Sequence, residues 1–491
     1  MGNVSELTAG RTQYDFAIPE LNMGSPNKEY QSNGGYSTSY AQEGVVARVN
    51  YNYNERYLLE IAGRYDASYR YAPGRRTALF PSASIGWRIS EEDFIKGRFS
   101  FLDNLKLRAS YGKSGNPVGQ EFAYLSKYLV SNSYVFGNGS ATPTQYQGVY
   151  EGQEPNTFLT WETVLKANVG LDVNLWKELL GLSFDIYKDK RNDKILGPDA
   201  IVPTEYGIGL SDENAGKESR WGYEFTLSNH TKITTDFNMS HQFVFGFTRN
   251  KQIEIREAAG TKNVPRKRRT GLPSNLTWGY KTAGLFKDEE DIANWAYQNS
   301  SVLPGDIKYV DINGDGKIDA NDQVVIGRNA TPEIMWGYTL SLRYKGFDLN
   351  TFIQGTANSD YYLGSADRGV RYPFENGKPL QSQADSWTTE NPNPNARFPR
   401  LSATKRTHNY ETSDFWMVNS SYIKLKSVEL GYNFNSALTR KVFIDRARLY
   451  LNLYNVWNIF SKMPKDFDSE NLTYTAYPQQ FISTLGVNVT F

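Results

Sequence analysis

The chain has 491 residues and a formal net charge of +1, so its overall charge does not favour nucleic acid or another polyanion as a partner. The absence of cysteine excludes disulfide bonds, thiol catalysis and cysteine-ligated zinc or iron–sulfur centres, and only three histidines are present. Aromatic residues make up 14% of the chain, which suits membrane interfaces and sugar-binding surfaces, where one end of a ring is wet and the other dry.

No segment approaches the roughly 18 to 20 consecutive apolar residues of a membrane-spanning helix. Residues 1–30 also lack the charged start and apolar core of a signal peptide. We therefore expect either that the protein stays inside the cell or that the sequence lacks its true beginning.

The chain begins with a segment rich in Gly, Ser, Asn and Tyr, residues 1–43, which we expect to be a long extracellular loop. The remaining residues, 44–491, are predicted to form β-structure. The first hairpin is predicted over residues 45–53 and 57–65, where apolar side chains alternate with polar ones. A three-residue turn, Asn54 to Arg56, is needed to align the two apolar faces.

The same alternation predicts about thirteen strands in all, many of them near the ~9 to 11 residues that a tilted strand needs to cross a bilayer. In the segment 422–432 the apolar parity shifts between Leu425 and Val428, which predicts a β-bulge near Ser427. After the opening hairpin, the predicted strands are 83–89, 105–111, 162–175, 180–193, 220–227, 237–251, 336–344, 347–354, 422–432, 447–460 and 480–491.

The segment 336–355 has the clearest hairpin pattern. If Lys345 and Gly346 form a two-residue turn, all apolar groups share one face. This register pairs Tyr344 with Phe347, Leu342 with Leu349 and Tyr338 with Ile353. Lys-Gly is not the preferred Asn-Gly, so the sequence leaves the turn type open.

The lengths of the connections indicate the class of β-structure. Predicted strands one, three, five, seven, nine and eleven are followed by short connections, around residues 54, 91–104, 176–178, 228–236, 345–346 and 433–446. Those after the even strands are mostly long and include 114–161, 194–219, 252–334 and 356–417. Short turns on one side and long loops on the other are typical of an antiparallel transmembrane β-barrel with short periplasmic turns and long extracellular loops.

The last predicted strand agrees with this interpretation. Phe481, Leu485, Val487, Val489 and Phe491 lie on one face, and the chain stops on an aromatic residue. A terminal aromatic residue on an amphipathic strand is similar to the targeting signal that the barrel-insertion machinery reads.

Several stretches together resemble the SusC-like (SusC/RagA-type) TonB-linked outer-membrane transporters, in the order that this family has them. They are ARVNYNYNERYLLEIAGRYDAS from Ala47, FPSASIGWRISEEDF from Phe80, LDNLKLRASYGKSGN from Leu102, GDIKYVDINGDGKIDANDQVVIG from Gly305, GYTLSLRYKGFDLNTFIQG from Gly337 and SYIKLKSVELGYNF from Ser421.

The resemblance implies a 22-stranded barrel in the outer membrane, of which this chain would be the C-terminal portion. It also implies import of oligosaccharides, peptides or similar nutrients, a SusD-like surface lipoprotein as partner, and energy coupling by TonB. No plug, TonB box or carboxypeptidase-like N-terminal domain is recognised in the sequence, so energy coupling would depend on a plug that these residues do not supply.

The extracellular loop predicted over residues 252–334 contains DINGDGKIDAND, a calcium-type motif. Calcium prefers six to eight oxygen ligands, and this spacing wraps them around one point. The alternative is a solvated turn made of Asn-Gly and Asp-Gly. The candidate metal ligands are Asp311, Asn313, Asp315, the backbone carbonyl of Lys317, Asp319 and Asp322.

Aromatic residues in the predicted external loops are candidates for substrate binding, because ring faces stack on sugars. The alternative is packing between loops or against a partner lipoprotein. These candidates are Trp278, Trp295, Trp387, Tyr361 and Tyr362.

Charged residues on the polar strand faces are expected to face the lumen, since an arginine turned towards lipid at mid-depth would cost roughly 2 to 4 kcal/mol. The arginines concerned are Arg48, Arg88, Arg108 and Arg343. The basic run 266–269 is expected to be a solvated loop.

No HExxH, P-loop or GxSxG motif is present, so we expect no enzymatic activity. The competing interpretations are a secreted all-β glycan-binding or adhesion protein and an all-β glycoside hydrolase.

Overall fold

The fold is organised around one antiparallel sheet. The computed structural model describes residues 2–13, 21, 25–136, 144–198, 204–257, 259–262, 264, 266–328, 330–363, 381–402, 407–465, 467–471 and 477–491. In this part of the chain the sheet has 13 strands, and each pairs with its neighbours in sequence, so the order is a simple meander.

The strands are β1 (Gln42–Tyr53), β2 (Tyr57–Ser68), β3 (Thr77–Arg88), β4 (Leu102–Asn116), β5 (Glu162–Leu175), β6 (Leu180–Leu196), β7 (Glu213–Lys232), β8 (Phe237–Glu254), β9 (Ile334–Tyr344), β10 (Phe347–Ala357), β11 (Tyr422–Asn433), β12 (Arg446–Ser461) and β13 (Ile482–Thr490).

Each strand predicted from the alternating pattern corresponds to one strand of this sheet, and the largest error concerns length. β7 extends over Glu213–Lys232 instead of residues 220–227, so most of the predicted turn 228–236 is strand. The reason is backbone pairing: β7 stays hydrogen-bonded to β6 and β8 beyond the apolar residues that marked it in the sequence.

The hairpin of β9 and β10 has the predicted register. Tyr344 pairs with Phe347, Leu342 with Leu349 and Tyr338 with Ile353. Lys345 and Gly346 have φ angles of 50° and 108°, and two positive φ values are the mark of a type I′ turn, whose twist matches that of the strands.

Two other local predictions are confirmed. Tyr53 pairs with Tyr57 across the three-residue turn between β1 and β2, in which Asn54 and Glu55 have positive φ. The register of β11 shifts between Leu425 and Ser427 against both neighbouring strands, which places the bulge at Lys426.

The two faces of the sheet differ in chemistry. Because paired residues project on the same side, the register assigns every strand residue to one of two faces. We call the face that carries Leu340 and Leu342 the outward face and the opposite one the inward face. Several outward apolar side chains are largely open: Val49 is 66% exposed, Ile61 54% and Leu485 73%. Within the described ranges these side chains lie open instead of packing on a second sheet, as they would in a sandwich, so the outward face suits contact with lipid.

The long connections carry short elements of their own. Residues 1–43, predicted as a loop, include a hairpin of Gly2–Arg11 with Gln31–Tyr40, and a second hairpin joins Tyr128–Phe136 to Thr144–Glu151. The remaining short strands are Thr277–Gly279, Thr282–Leu285, Ile307–Tyr309, Val324–Gly327, Asp360–Tyr362 and Met417–Asn419.

The helices that the structure describes are short. None of those in the described ranges is long and apolar enough to cross a membrane. The α-helices are Ala259–Lys262, Glu289–Ala293 and Ser436–Thr439, and the 3-10 helices are Lys28–Tyr30, Ile89–Glu91, Thr204–Tyr206, Ala320–Asp322, Gln381–Ala384, Thr407–Tyr410, Asp414–Trp416 and Arg440–Val442.

Parts of three long connections pack together around a hydrophobic core outside the sheet. We call the described residues in 277–327, 359–363, 384–402, 407–420 and 463–465 the loop module. They come from the connections after β8, β10 and β12. The buried hydrophobic residues of its core are Tyr280, Leu285, Ile307, Tyr309, Tyr361, Leu363, Trp387, Ala396, Phe398, Trp416 and Met463.

A smaller hydrophobic cluster joins β3 to the connections after β2 and β4. Trp161 packs against Tyr71 and Phe80, with ring centroids 5.8 Å and 5.4 Å apart, and Leu159 completes the cluster. The long-loop end of the sheet is therefore covered by packed structure at two places.

The assignment of the faces predicts that an arginine destabilises the protein to different extents at two adjacent positions of β9. Leu340→Arg puts the charge on the outward face and should destabilise the membrane-embedded protein by about 2 to 4 kcal/mol, whereas Thr339→Arg faces the lumen and should cost much less. Equilibrium unfolding in urea, followed by tryptophan fluorescence in lipid vesicles, measures both. Equal destabilisation by the two substitutions would contradict the assignment.

Candidate functional site

The inward face of the sheet holds ionic clusters that span several strands. Arg108 of β4 donates to Asp172 of β5, with Nε 3.1 Å from Oδ2, and to Asp185 of β6, with both guanidinium distances 2.6 Å. Gly170 of β5 makes room for this arrangement, because a Cβ there would lie 2.5 Å from Cζ of Arg108. The cluster joins three strands through a single guanidinium.

A second cluster is built in the same way between β10, β11 and β12. Arg448 donates through Nε to Asp348 at 3.1 Å and through Nη2 to Glu429 at 2.7 Å. Gly431 lies next to the guanidinium, and a Cβ at that position would lie 2.5 Å from Nη2. The hydrogen bonds between a planar guanidinium group and two carboxylates are strong and directional. Both clusters therefore hold the polar groups of the inward face in fixed positions.

Between the two clusters the inward face forms a groove of about 610 Å³. This volume lies within the range of ligand pockets, about 300 to 1,000 Å³. It is lined by residues of β6 to β11, and carboxylate, amide and hydroxyl groups point into it together with Val244, Met335 and the ring of Phe352. Its polar lining includes Asp185, Glu224, Thr226, Gln242, Thr339 and Gln354.

The connection after β12 folds back onto the inward face. Glu470 accepts hydrogen bonds from Lys424 at 3.3 Å and Lys426 at 2.6 Å, and it also contacts Gln354 in the groove. The side chains of Lys424 and Glu470 are only 4% and 9% exposed. The β-bulge in β11 lets both lysines face the same carboxylate. The alternating pattern could not identify Glu470, because it lies in a loop.

The arginines predicted to face the lumen are on the inward face. Arg108 is held in the first cluster, and Arg343 pairs across the hairpin with Asp348. Arg48 lies 4.0 Å from Glu60, and Arg88 contacts Glu91 at 3.5 Å. For these four arginines the alternation therefore predicted the correct face.

The calcium-type loop forms a tight turn stabilised by its own carboxylates. Asp311 accepts hydrogen bonds from the backbone N–H groups of Gly314 at 2.6 Å and Gly316 at 2.8 Å, and both glycines have positive φ. Burial removes water from Asp311, yet the backbone donors outweigh this effect and lower the pKa of its carboxyl group below the ordinary value. The carboxylate is therefore ionised at neutral pH.

The other predicted ligands also bind backbone groups. Asp315 accepts from the N–H of Lys317 at 2.9 Å, and Asp319 accepts from that of Asn321 at 2.6 Å. Asp322 is fully buried and accepts from the N–H groups of Ile312 and Asn313. Within the described residues, no three His, Asp or Glu side chains come together as a metal-binding group.

The five aromatic residues proposed to bind substrate occupy different environments. Trp387 and Tyr361 are 6% and 8% exposed and belong to the core of the loop module, against which Tyr362 also packs. Trp295 donates through Nε1 to the carbonyl of Tyr309 at 2.7 Å, and Arg269 lies over the ring of Trp278. The structure brings Trp387, Tyr361 and Tyr362 together, and the packing interpretation describes these three better than ligand contact does.

The loop module also contains a buried polar network that the sequence did not reveal. Asn409 donates to Asp306 at 3.0 Å and accepts from the N–H of Ile307 at 2.9 Å. His408 packs against the ring of Tyr309, whose hydroxyl donates to the carbonyl of His408 at 2.6 Å. These partners are about 100 positions apart in sequence, so no local motif could have identified them.

Comparison with known proteins identifies the class. A family model described as TonB dependent receptor-like, beta-barrel matches residues 1–456. The chain belongs to this family, and its place is the outer membrane.

The relatives narrow the resemblance to the SusC/RagA type. The chain is 29% identical over 468 residues to TonB-dependent receptor P26 of Formosa agariphila, covering 90% of this chain and 45% of the relative. It is 25% identical over 472 residues to TonB-dependent receptor SusC of Bacteroides thetaiotaomicron, covering 93% and 44%. A solved structure of the RagAB peptide transporter matches 96% of this chain and 50% of its own, with a TM-score of 0.74 at 20% identity. The chain thus spans about half the length of the proteins that it matches.

The contact between β11 and the connection after β12 predicts a specific weakness. Glu470→Gln removes the carboxylate to which both Lys424 and Lys426 donate, which should weaken this contact by about 3 to 5 kcal/mol and release the connection after β12. Trypsin should then cut faster after Lys465 in the folded protein, as measured by mass spectrometry of the products. Glu178→Gln, which removes an exposed carboxylate from a turn, is the control. Identical cleavage of the Glu470 variant and the parent would show that the contact does not hold the loop.

Proposed function

We propose that this chain forms part of the wall of a TonB-dependent channel that imports a hydrophilic oligomeric nutrient, an oligosaccharide or a peptide. The observation that carries the proposal is a groove of about 610 Å³ on the inward face, in which polar side chains stand beside Val244, Met335 and Phe352, in a sheet whose outward face is largely apolar. In the outer membrane such a sheet turns its groove towards the lumen.

The chemistry of the groove suits a ligand rich in hydrogen-bonding groups. Gln242 and Gln354 offer both donors and acceptors, and Thr226 and Thr339 offer hydroxyl groups. Phe352 and Tyr422 add ring surfaces at the same place. Sugar hydroxyls and peptide amides both fit this set, and the match with a structure named as a peptide transporter supports the peptide alternative.

We further propose that the channel works with a SusD-like surface lipoprotein and is driven by TonB through a plug domain. The family membership supports this arrangement, and the loop module offers folded structure at the long-loop end for such a partner to contact. Trp278 and Trp295 belong to the module without belonging to its buried core, and they remain our candidates for ligand contact. We infer a transport role without enzymatic activity.

We also propose that the loop 311–322 binds calcium. Asp311, Asn313 and Asp315 stand at the first, third and fifth positions of the motif, and the turn that the motif requires is formed at Gly314 and Gly316. An ionised carboxylate has about four lone-pair sites, so a carboxylate that accepts backbone hydrogen bonds can still bind a cation.

The groove predicts that filling it blocks transport. The double substitution Thr226→Trp and Thr339→Trp adds two large rings to the inward face and should abolish most uptake, because the ligand loses its path along the wall. The measurement is the uptake of radiolabelled peptide and oligosaccharide pools by intact cells.

The matched control puts the same rings on the outward face through Leu227→Trp and Leu340→Trp, which should leave uptake unchanged. Parental uptake by the groove variant would argue against the proposed path. The proposed partner is checked in the same strains: a surface lipoprotein should co-purify with the parent and with both variants, and its absence from the parent would remove that part of the proposal.

The calcium proposal predicts metal-dependent protection of the loop. Calcium should slow trypsin cleavage after Lys317 in the parent, and Asp311→Ala with Asp315→Ala should abolish this effect, since two ligands are lost. Magnesium serves as the comparison ion, and Glu178→Ala with Glu205→Ala serves as the control for the lost charge. If the parent is cleaved equally with and without calcium, the loop is a solvated turn.

A further inference from the structure

A belt of lysines lies on the outward face, near the long-loop ends of β4 to β8. Lys113, Lys190 and Lys251 occupy one cross-strand row, in which Leu165 and Ser219 separate them. The adjacent row contains Lys188 between Ala167 and Trp221, followed by Arg249. We call Lys113, Lys188, Lys190 and Lys251 the lysine belt.

The belt lacks protein countercharges. Neither row contains an acidic residue, and within the described ranges none of the four lysines has a carboxylate partner. The neighbouring Arg249 differs, because it forms two hydrogen bonds of 2.7 Å and 2.6 Å with Glu333. The clustered cations of the inward face are held by carboxylates, as Arg108 and Arg448 are. A set of adjacent unpaired cations repels itself and would be stabilised by an external anion.

The position of the belt indicates where that anion is. The next row towards the short turns consists of Ala109, Val169, Ile186, Tyr223 and Phe247, which are all apolar or aromatic. The lysines therefore lie where the apolar band of the outward face ends and the long loops begin. In an outer-membrane protein this is the level of the lipid headgroups of the outer leaflet.

An apolar groove adjoins the belt. It has a volume of about 680 Å³, and Lys188 and Lys251 flank it. Its apolar lining includes Val169, Ile186, Trp221 and Ile253, whose side chains are between 42% and 48% exposed. A groove beside cations accommodates an acyl chain and a charged headgroup at the same time.

We propose that the lysine belt and this groove bind a phosphate-bearing lipid of the outer leaflet, with phosphate on the lysines and an acyl chain against Ile186 and Trp221. Ammonium groups are compact charges that approach phosphate without a fixed geometry, so they suit a lipid that diffuses in the membrane. The site is on the opposite face from the nutrient groove, and it depends only on the placement of the chain in the outer membrane.

The test compares lipids that differ only in phosphate. Protein purified from its own outer membrane is titrated in detergent with a bis-phosphorylated, acylated diglucosamine or with the same lipid without phosphates, and native mass spectrometry measures the bound lipid. The parent should prefer the phosphorylated lipid. The belt variant, with Lys188, Lys190 and Lys251 each changed to Gln, should bind it roughly 100-fold more weakly, because each lysine near an anionic surface contributes a factor of about five.

A matched variant controls for the loss of three charges. Lys177, Lys232 and Lys345, which are exposed at the short-turn end, are also changed to Gln, and this variant should bind like the parent. Equal binding of the two lipids by the parent, or undiminished binding by the belt variant, would overturn the proposal. It would also be overturned if the belt variant kept the lipid and lost a protein partner or a second copy of the chain, since the surface would then be a protein interface.

Discussion

The structure depends on one constraint: in a bilayer, each backbone N–H and C=O group must find its hydrogen-bond partner within the sheet. Between its two edge strands, β1 and β13, the meander meets this constraint by pairing each strand with its neighbours in sequence, and the pairing then fixes the side of each side chain. The largely apolar outward face, the arginine clusters and the groove of the inward face all follow from this assignment. A shift of one residue in a single strand would exchange its two faces.

This dependence explains why so much of the fold could be predicted from the sequence. Period-two alternation and turn length are local properties, and they correctly gave the register of the β9–β10 hairpin and the bulge at Lys426. The ends of β7 could not be predicted in the same way, because beyond Leu227 the strand carries polar residues such as Asn229 and Lys232 and is continued by backbone pairing alone. Apolar periodicity reports the part of a strand that meets lipid, and not its full length.

The interactions in the loops required the structure. Glu470 contacts Lys424 and Lys426 only because the part of the connection after β12 that carries it folds back onto the inward face, and His408 meets Tyr309 across 99 positions of sequence. Loop segments have no fixed period, so a buried tryptophan such as Trp387 looks in the sequence like one that is available to a ligand. The resemblance to a family supplied a function for the whole protein, but it did not indicate which loop residues form a core.

The composition of the loop module has a consequence for biogenesis. Its core joins chain segments from the connections after β8, β10 and β12, so it closes only when all of these segments have been carried to the same side of the membrane. Contacts between segments so far apart in sequence are slow to form, because the chain loses entropy on closing these long loops before the burial of the core stabilises them. The loop module is therefore completed late in assembly, after the strands between its segments have been inserted.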